Sequence, residues 1–393
     1  MTPRVLIAGG GIGGLAAALA CSRAGCQTTV FEKTPSFEPI GAGIQLGPNV
    51  TRVLHSWGLG EALKALAVAP EHLRVMDAAS GHPLGQLRLG QASEQRYGAP
   101  YLTIHRADLH TLLRAALAQF AASNLHTGKA IESFTSSDAG VSVMLESGET
   151  HSGELLVGAD GLWSRVRQQL LADGPPQRTG HVALRALVSQ QNLPKSLRSQ
   201  DISVWLGPKM HIVQYPVKGG KWLNLVLILE GGAVDAADGW NQSFDLSQLR
   251  QHMPELCGAL QNTLQAVEVL QAWQAWPLCR RTPLQNAREQ AQGRVALLGD
   301  AAHPMLPYLA QGAGMAIEDA ACLSDSLTRT MLDVPQAVSH YAAARWQRNA
   351  RVQRRSLRNG WIFHADGALR RARNLSMRLM GERLLDVPWL YQA

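Results

Sequence analysis

Five of the six residues from Gly9 to Gly14 are glycine, directly after the apolar run Arg4-Val5-Leu6-Ile7-Ala8 and directly before the Ala/Leu-rich stretch Leu15 to Ser22. Such a run does not extend a helix or a strand, since glycine loses the most backbone freedom on ordering. It suits a tight turn between the two. Gln27-Thr28-Thr29-Val30-Phe31-Glu32 reads as a second strand, so the chain opens as strand, glycine turn, helix, strand. Gly9, Gly11 and Gly14 fit G-x-G-x-x-G, and Glu32 follows Gly14 by 18 residues, close to the ~20-residue offset of an acid that binds a ribose hydroxyl. The first glycine permits the turn, the second lets backbone approach a pyrophosphate, and the third lets helix and strand pack closely. An acid at position 32 repels a 2′-phosphate, so the ligand is FAD or NAD rather than NADP. The same glycines argue against a secretory signal in the uncharged residues 5–22, despite the cleavage-like Ala18-Leu19-Ala20. No other stretch is long and apolar enough to span a bilayer.

Choosing between FAD and NAD falls to two later segments. Residues 154–167, ELLVGADGLWSRVR, read as a strand, a Gly158-Ala159-Asp160-Gly161 turn and a helix carrying Arg165 and Arg167. Residues 294–321 read as a strand Val295 to Leu298, the turn Gly299-Asp300, a glycine-broken loop and an apolar helix. Each sets an aspartate at the C-terminal end of a strand, where open α/β sheets bind ligands. A helix-capping turn is the alternative for any one of them. The chain has 393 residues, 46% apolar and 17% charged, which excludes disorder and, at ~150 residues per domain, allows two or three domains. Five scattered cysteines, with no C-x-x-C pair, argue for a reducing, cytoplasmic setting and against a structural metal. From residue 340 onward there are eleven arginines, no lysine and three acids, so this segment carries +8 of a total of +7. Arg345, Arg348, Arg351, Arg355 and Arg358 share one helix face, read as a solvated basic surface. No nucleic-acid-binding module is present, so no nucleic-acid partner is expected.

With these motifs in this order, the chain resembles the single-component (group A) FAD-dependent aromatic hydroxylases, in the branch of salicylate hydroxylase, 3-hydroxybenzoate 6-hydroxylase and 6-hydroxynicotinate 3-monooxygenase. The resemblance covers nearly the whole chain and includes GAGIQLGPN at 41–49, HRADLH at 105–110 and GDAAHP at 299–304. It implies an α/β fold: a Rossmann-like FAD-binding domain of discontinuous segments, an inserted, mainly antiparallel substrate domain, and a C-terminal helical segment. The expected segments are 1–70, 98–178 and 286–340 for FAD, 71–97 and 179–285 for substrate, and 341–393 for the basic helical end. Within the substrate part, Ile202 to Trp205, His211 to Tyr215 and Trp222 to Leu229 read as strands around Gly219-Gly220, and residues 244–277 look helical.

For the cofactor, the resemblance implies that Glu32 binds the FAD ribose, Asp300 the ribityl chain, Arg106 the FAD, and Asp160 both FAD and nicotinamide. Pro304 shapes the flavin pocket, and the backbone of Gly312, Ala313 and Gly314 meets the flavin pyrimidine. NADH or NADPH is a transient co-substrate with O2, and the flavin hydroperoxide attacks the ring. His211, with Tyr215 four residues on and on the same strand face, is the expected base that activates a ring hydroxyl. Gln45 and Pro307 line the substrate pocket in place of a histidine and a glutamine found in two relatives, which leaves the ring substrate open. His303 is read as a brace of its loop. Arg185 serves a carboxylate or the nicotinamide, or is a surface cation, and Trp205, Trp222, Trp273 and Trp276 are either aromatic pocket walls or core.

The reading is an FAD-dependent hydroxylase of a small phenolic or N-heteroaromatic acid, with room for a homodimer and no stable membrane insertion. Two rivals keep FAD. One is a hydroxylase of a quinone precursor or polyketide-like ring, docking at an anionic membrane through the basic helix. The other is a redox sensor without turnover.

Overall fold

The computed structural model describes residues 3–37, 42–231, 242–243, 253–270, 273–329 and 331–392. Two sheets organise them. The first has six strands in the order Ala291–Gln292, Val295–Leu297, Leu155–Gly158, Arg4–Ala8, Gln27–Glu32, Ser123–Thr127. Its four central pairings are parallel, and only the short Ala291–Gln292 edge runs antiparallel. Parallel strands bury both faces and need helical crossovers. Here Leu6, Phe31, Leu156 and Leu297 pack on one side against the antiparallel meander of residues 131–153, while Val5, Ile7, Val30 and Leu155 pack on the other against helices Ile12–Arg23, Arg106–Leu117 and Gly312–Leu327.

The second sheet has eight strands in the order Gln242–Ser243, Gln274–Arg280, Gln177–Ser189, Trp222–Glu230, Met210–Val217, Ile202–Gly207, His72–Asp77, Pro83–Arg88. All pairings but the one between Ile202–Gly207 and His72–Asp77 are antiparallel. Alternation along Met210–Val217 sends Met210 and Ile212 into a core under helix Gly258–Val269 and leaves His211, Val213 and Tyr215 on the opposite face. That opposite face looks toward helix Gly312–Leu327 and the C-terminal helices. A two-stranded bridge, Gly43–Leu46 with Leu102–His105, joins the sheets. Asn224 accepts from the Gly43 N–H at 2.6 Å, and Thr103 donates to the Pro216 carbonyl at 2.6 Å.

Three expectations need correction. The helix read over 244–277 ends at Val269, and Gln274–Arg280 is a strand beside Gln177–Ser189. The run Ala272-Trp273-Gln274-Ala275 fits either period, and the unpaired edge of the sheet decides it. Residues 244–252 and 271–272 lie outside the described residues.

The second concerns the basic helix, Val334–Phe363, which starts from an Asp333/Gln336 capping box. Arg345 and Arg348 are not on a solvated face. Arg345 meets Asp319 at 2.7 Å and Glu318 at 2.9 Å, and Arg348 holds both oxygens of Glu318 at 2.6 and 2.8 Å. Burial alone would raise the Asp319 carboxyl, but His303 and Arg345 bring it down to about 2. Of the charge repeat, Arg345 and Arg348 form an ion-pair core, Arg355 lines a cavity, and Arg351 and Arg358 are at the surface.

The third is Trp205, which packs with the core under helix Gly258–Val269, away from the inner face, because its strand position has the parity of Ile212 rather than of His211; Trp273, just before Gln274–Arg280, lies in the same core, one of the two readings left open for it.

Candidate active site

The first cleft lies at the C-terminal ends of the parallel strands. Gly9 sits at φ +97°, and a Cβ there would come within 2.5 Å of the Ala159 carbonyl; one on Gly14 would stand 1.9 Å from the Gly9 carbonyl. The turn and the helix start can therefore be made only without side chains. Gly11 faces open space, and the helix it begins has neither a side-chain cap nor an acid in its first turn. Its free N–H groups and dipole suit a pyrophosphate. Glu32, at the end of the second strand, is buried and accepts from the Gly10 N–H at 2.6 Å and from Thr34.

Across the cleft, Asp300 and Arg106 are accessible to solvent yet enclosed by its walls. Burial raises the Asp300 carboxyl above its ordinary range, with His303 and Arg106 opposing the rise. Burial lowers Arg106 in turn, while Asp300 and Glu32 counter it. The helix Gly312–Leu327 also begins without a side-chain cap, leaving the N–H groups of Gly312, Ala313 and Gly314 as donors. A dinucleotide with a pyrophosphate, ribose hydroxyls and polar ring carbonyls fits this donor and acceptor set.

Asp160, in the motif expected to serve FAD and nicotinamide, is tied to the helix that follows it. Its carboxylate takes Ser164 Oγ at 2.5 Å and the Arg165 and Val166 N–H groups at 2.8 and 3.3 Å, so it caps helix Arg165–Leu171. Arg167 ties that helix to the carbonyls of Ala301 and Ala302 and to Asp173, joining the two aspartate loops. His303 Nε2 donates to the Asp319 carboxylate at 2.5 Å, and Gln353 holds the Pro304 carbonyl at 3.0 Å. These contacts brace the loop around Pro304.

The second site is a cavity of about 420 Å³ between the inner face of the eight-stranded sheet and the C-terminal helices. Val75, Val204 and Leu309 are among its apolar walls, and Gln45, His211, Pro307, Tyr308 and Arg355 also line it. Tyr101, on the same wall, donates to Gln45 Oε1 at 2.7 Å, leaving the Gln45 amide nitrogen for a ligand. His211 is 1% exposed, and its Nδ1 lies 2.9 Å from His364 Nε2. Burial, reinforced by His364 and His181, holds His211 well below the ordinary histidine range, so it is neutral at pH 7. With Nδ1 engaged, Nε2 is the nitrogen left to accept a proton. Arg355 Nε is buried without a hydrogen-bond partner among the described residues.

Tyr215 shares the face of His211, but its hydroxyl donates to the Gly43 carbonyl at 2.6 Å. It braces the bridge between the sheets and does not line the cavity. Arg185 lies two strands away with its guanidinium 4.9 Å above Trp276, outside the cavity, and Trp222 lies under Lys218. Sequence reasoning missed Tyr308, Arg355, His364 and Tyr101. Only Arg355 carried any signal, as one of the basic repeat. His181, Glu230 and His364 also gather within 4.8 Å of one another. The His181 and His364 rings stack at 5.3 Å and 20°, and His181 Nδ1 is already 2.5 Å from the Tyr308 hydroxyl.

A parallel sheet with a glycine turn, an acid at the second strand and a capless helix aimed into the cleft defines a dinucleotide-binding protein, here with a largely apolar, partly open cavity under the inner face of its second sheet. The chain matches the FAD-binding domain family over residues 2–356, and it belongs to that family. It is 39% identical over 401 residues to 3-hydroxybenzoate 6-hydroxylase 1 of Aquipseudomonas alcaligenes, covering 100% of this chain and 98% of the relative. It is 35% identical to 6-hydroxynicotinate 3-monooxygenase of Bordetella bronchiseptica, covering 92% of each. Among solved structures, a Klebsiella pneumoniae HpxO variant complexed with FAD superimposes with a TM-score of 0.85 at 25% identity, over 98% of this chain and 96% of the other. The chain is an FAD-dependent aromatic hydroxylase that uses NAD(P)H and O2. Among the described residues no helix is long and apolar enough to cross a membrane.

Proposed function

We propose that this enzyme hydroxylates a small phenolic or N-heteroaromatic acid of the 3-hydroxybenzoate or 6-hydroxynicotinate type, with His211 as the base. The observation that carries the reading is a neutral imidazole, held by a hydrogen bond at Nδ1, in the wall of a largely apolar cavity. Gly9, Gly11, Gly14, Glu32, Arg106, Asp300, Pro304 and the Gly312–Gly314 backbone would hold FAD, which supplies the activated oxygen when bound and reduced. The chain's own part is to orient the ring, keep water out, and make the ring electron-rich. A phenol near pKa ~10 is a poor nucleophile, and removal of its proton by His211 Nε2 raises the electron density at the ring carbons. The apolar walls accept a flat ring, Gln45 and Arg355 offer donors for a carboxylate, and Tyr215 holds the bridge that carries Gln45.

Arg106 and Arg185 set positive charge along the cleft, in keeping with a transient NADH or NADPH. Five free cysteines suit a cytoplasmic enzyme. The test is NADH and NADPH oxidation by the FAD-loaded protein with salicylate, 3-hydroxybenzoate, 6-hydroxynicotinate and 4-hydroxybenzoate, quantifying product against hydrogen peroxide. Coupled product from one acid supports the reading; peroxide alone with every acid refutes it.

A second reading has one observation in its favour. Trp361, Leu375, Leu379 and Met380 are exposed on the C-terminal helices beside Arg371 and Arg378, near the cavity mouth. That surface suits a hydrophobic ring substrate drawn from an anionic membrane. Salt-sensitive binding to anionic vesicles, with turnover of a quinone precursor, would favour it over the small-acid reading.

A further inference from the structure

A buried base must pass its proton on before it can act again. Burial lowers His211, with His364 and His181 adding to the effect, and burial together with His181 and Arg373 takes His364 down to about 3. Neither ring stays cationic near pH 7, so each carries a single N–H. The groups that face this pair are His181, Tyr308, Glu230 and Arg373, and only Glu230 carries a charge that welcomes a proton. The question is where the proton goes.

The packing answers it. His211 Nδ1 meets His364 Nε2 at 2.9 Å. The other nitrogen of His364, Nδ1, is buried without a hydrogen-bond partner among the described residues and lies 3.6 Å from Glu230 Oε2. The His364 side chain is 2% exposed and that of Glu230 is 46% exposed, so the series runs from the cavity wall to solvent. Lys209, in the hairpin turn at φ +55°, donates its N–H to the His364 carbonyl at 3.0 Å and accepts from the Glu230 N–H at 2.9 Å. One turn residue thus holds both groups in register, and stacking of His181 fixes the plane of His364.

We propose that His364 and Glu230 are positioning residues of a proton-exit relay that carries the proton taken by His211 from the ring hydroxyl to bulk water. The proposal rests on His211 as base. The ring O–H breaks as an N–H forms at His211 Nε2, and the Nδ1–H of His211 passes to His364 Nε2. The Nδ1–H of His364 passes to the Glu230 carboxylate, whose exposed side chain turns to close the gap and then releases the proton to water. No electrons change hands. Each imidazole ends in its opposite tautomer, and the series resets when a proton runs inward to the product phenolate.

The experiment uses FAD-loaded enzyme mixed in a stopped-flow instrument with 3-hydroxybenzoate, and in parallel with salicylate and 6-hydroxynicotinate, in weak buffer with a pH-indicator dye. Phenolate absorbance reports deprotonation, and the dye reports release to solvent. Glu230→Gln should slow both by about ten-fold or more with substrate affinity unchanged. Glu230→Asp, or added formate as a diffusible carrier, should restore them. His364→Gln should act like Glu230→Gln, and His211→Ala should abolish deprotonation. Wild-type rates in Glu230→Gln and His364→Gln while His211→Ala is dead would overturn the relay and leave the base in place. Wild-type deprotonation in His211→Ala would remove the base and the relay together. Because Glu230 is half-exposed, its variant tests the relay even where His364→Gln fails to fold.

Discussion

The cofactor cleft and the substrate cavity are made by opposite means. The cleft is built from backbone: a turn without side chains at Gly9, open space over Gly11, and bare helix starts at Ile12 and Gly312. The cavity is built from side chains that come from the bridge strand (Gln45), the inner sheet (His211), the loop after the Gly299-Asp300 turn (Pro307, Tyr308) and the long basic helix (Arg355). A backbone site tolerates no added atom but asks little of the residues beyond it. A side-chain site tolerates exchange, and each exchange alters what it recognises. This is why one cofactor can serve a family whose members act on different rings.

Four measurements would break or sharpen that contrast. Gly14→Ala should have the largest effect, since its methyl carbon would lie 1.9 Å from the Gly9 carbonyl. The protein should purify without FAD absorbance, and retention of yellow protein would show that the turn can move. His211→Ala should leave FAD bound and reduce coupled hydroxylation by ~100-fold, the usual scale for a lost general base. Unchanged product formation would end its assignment. Arg355→Met should spare FAD binding and kcat but raise KM for an aromatic acid by about ten-fold, the scale of one charge-assisted hydrogen bond. An unchanged KM would place the carboxylate elsewhere. The smallest effect concerns stability.

His181, His211 and His364 all have folded pKa values below the unfolded value. The unfolded chain therefore binds more protons as pH falls through about 6.5, and each histidine removes up to about 1.4 kcal/mol per pH unit below it. Thermal scans from pH 7.5 to 5.5 should show Tm falling, and less so in His364→Gln. A flat profile would mean that the cluster is already hydrated.

The same contrast explains what could be read from the sequence. The glycine turn, Glu32 and the Gly299-Asp300 turn were legible because their partners lie within a few residues or on the next strand. The role of Asp160 was ambiguous, since a cap and a ligand need the same residue at the same offset. The Asp160 carboxylate went to its own helix. Tyr215 shares the parity of His211, yet parity does not say that Gly43 would sit above its ring. Trp205 and Trp273 stayed open between pocket wall and core because a tryptophan suits either side of a doubly buried sheet. Arg345 and Arg348 counted as surface until Glu318 and Asp319 packed beneath them.

Local steric rules determined the cofactor site: a backbone that must turn without a Cβ, and free N–H groups at a helix start, can be specified by a handful of adjacent residues. The sequence also determined His211 as a polar residue in an apolar strand. Only the tertiary structure decided that His364 would meet it at 2.9 Å across 153 residues, that Arg355 would face the cavity while Arg345 went to the core, and that Glu230 would stand at the exit. Those contacts depend on how two sheets and a 30-residue helix pack together, and long-range packing leaves no periodic mark on the chain.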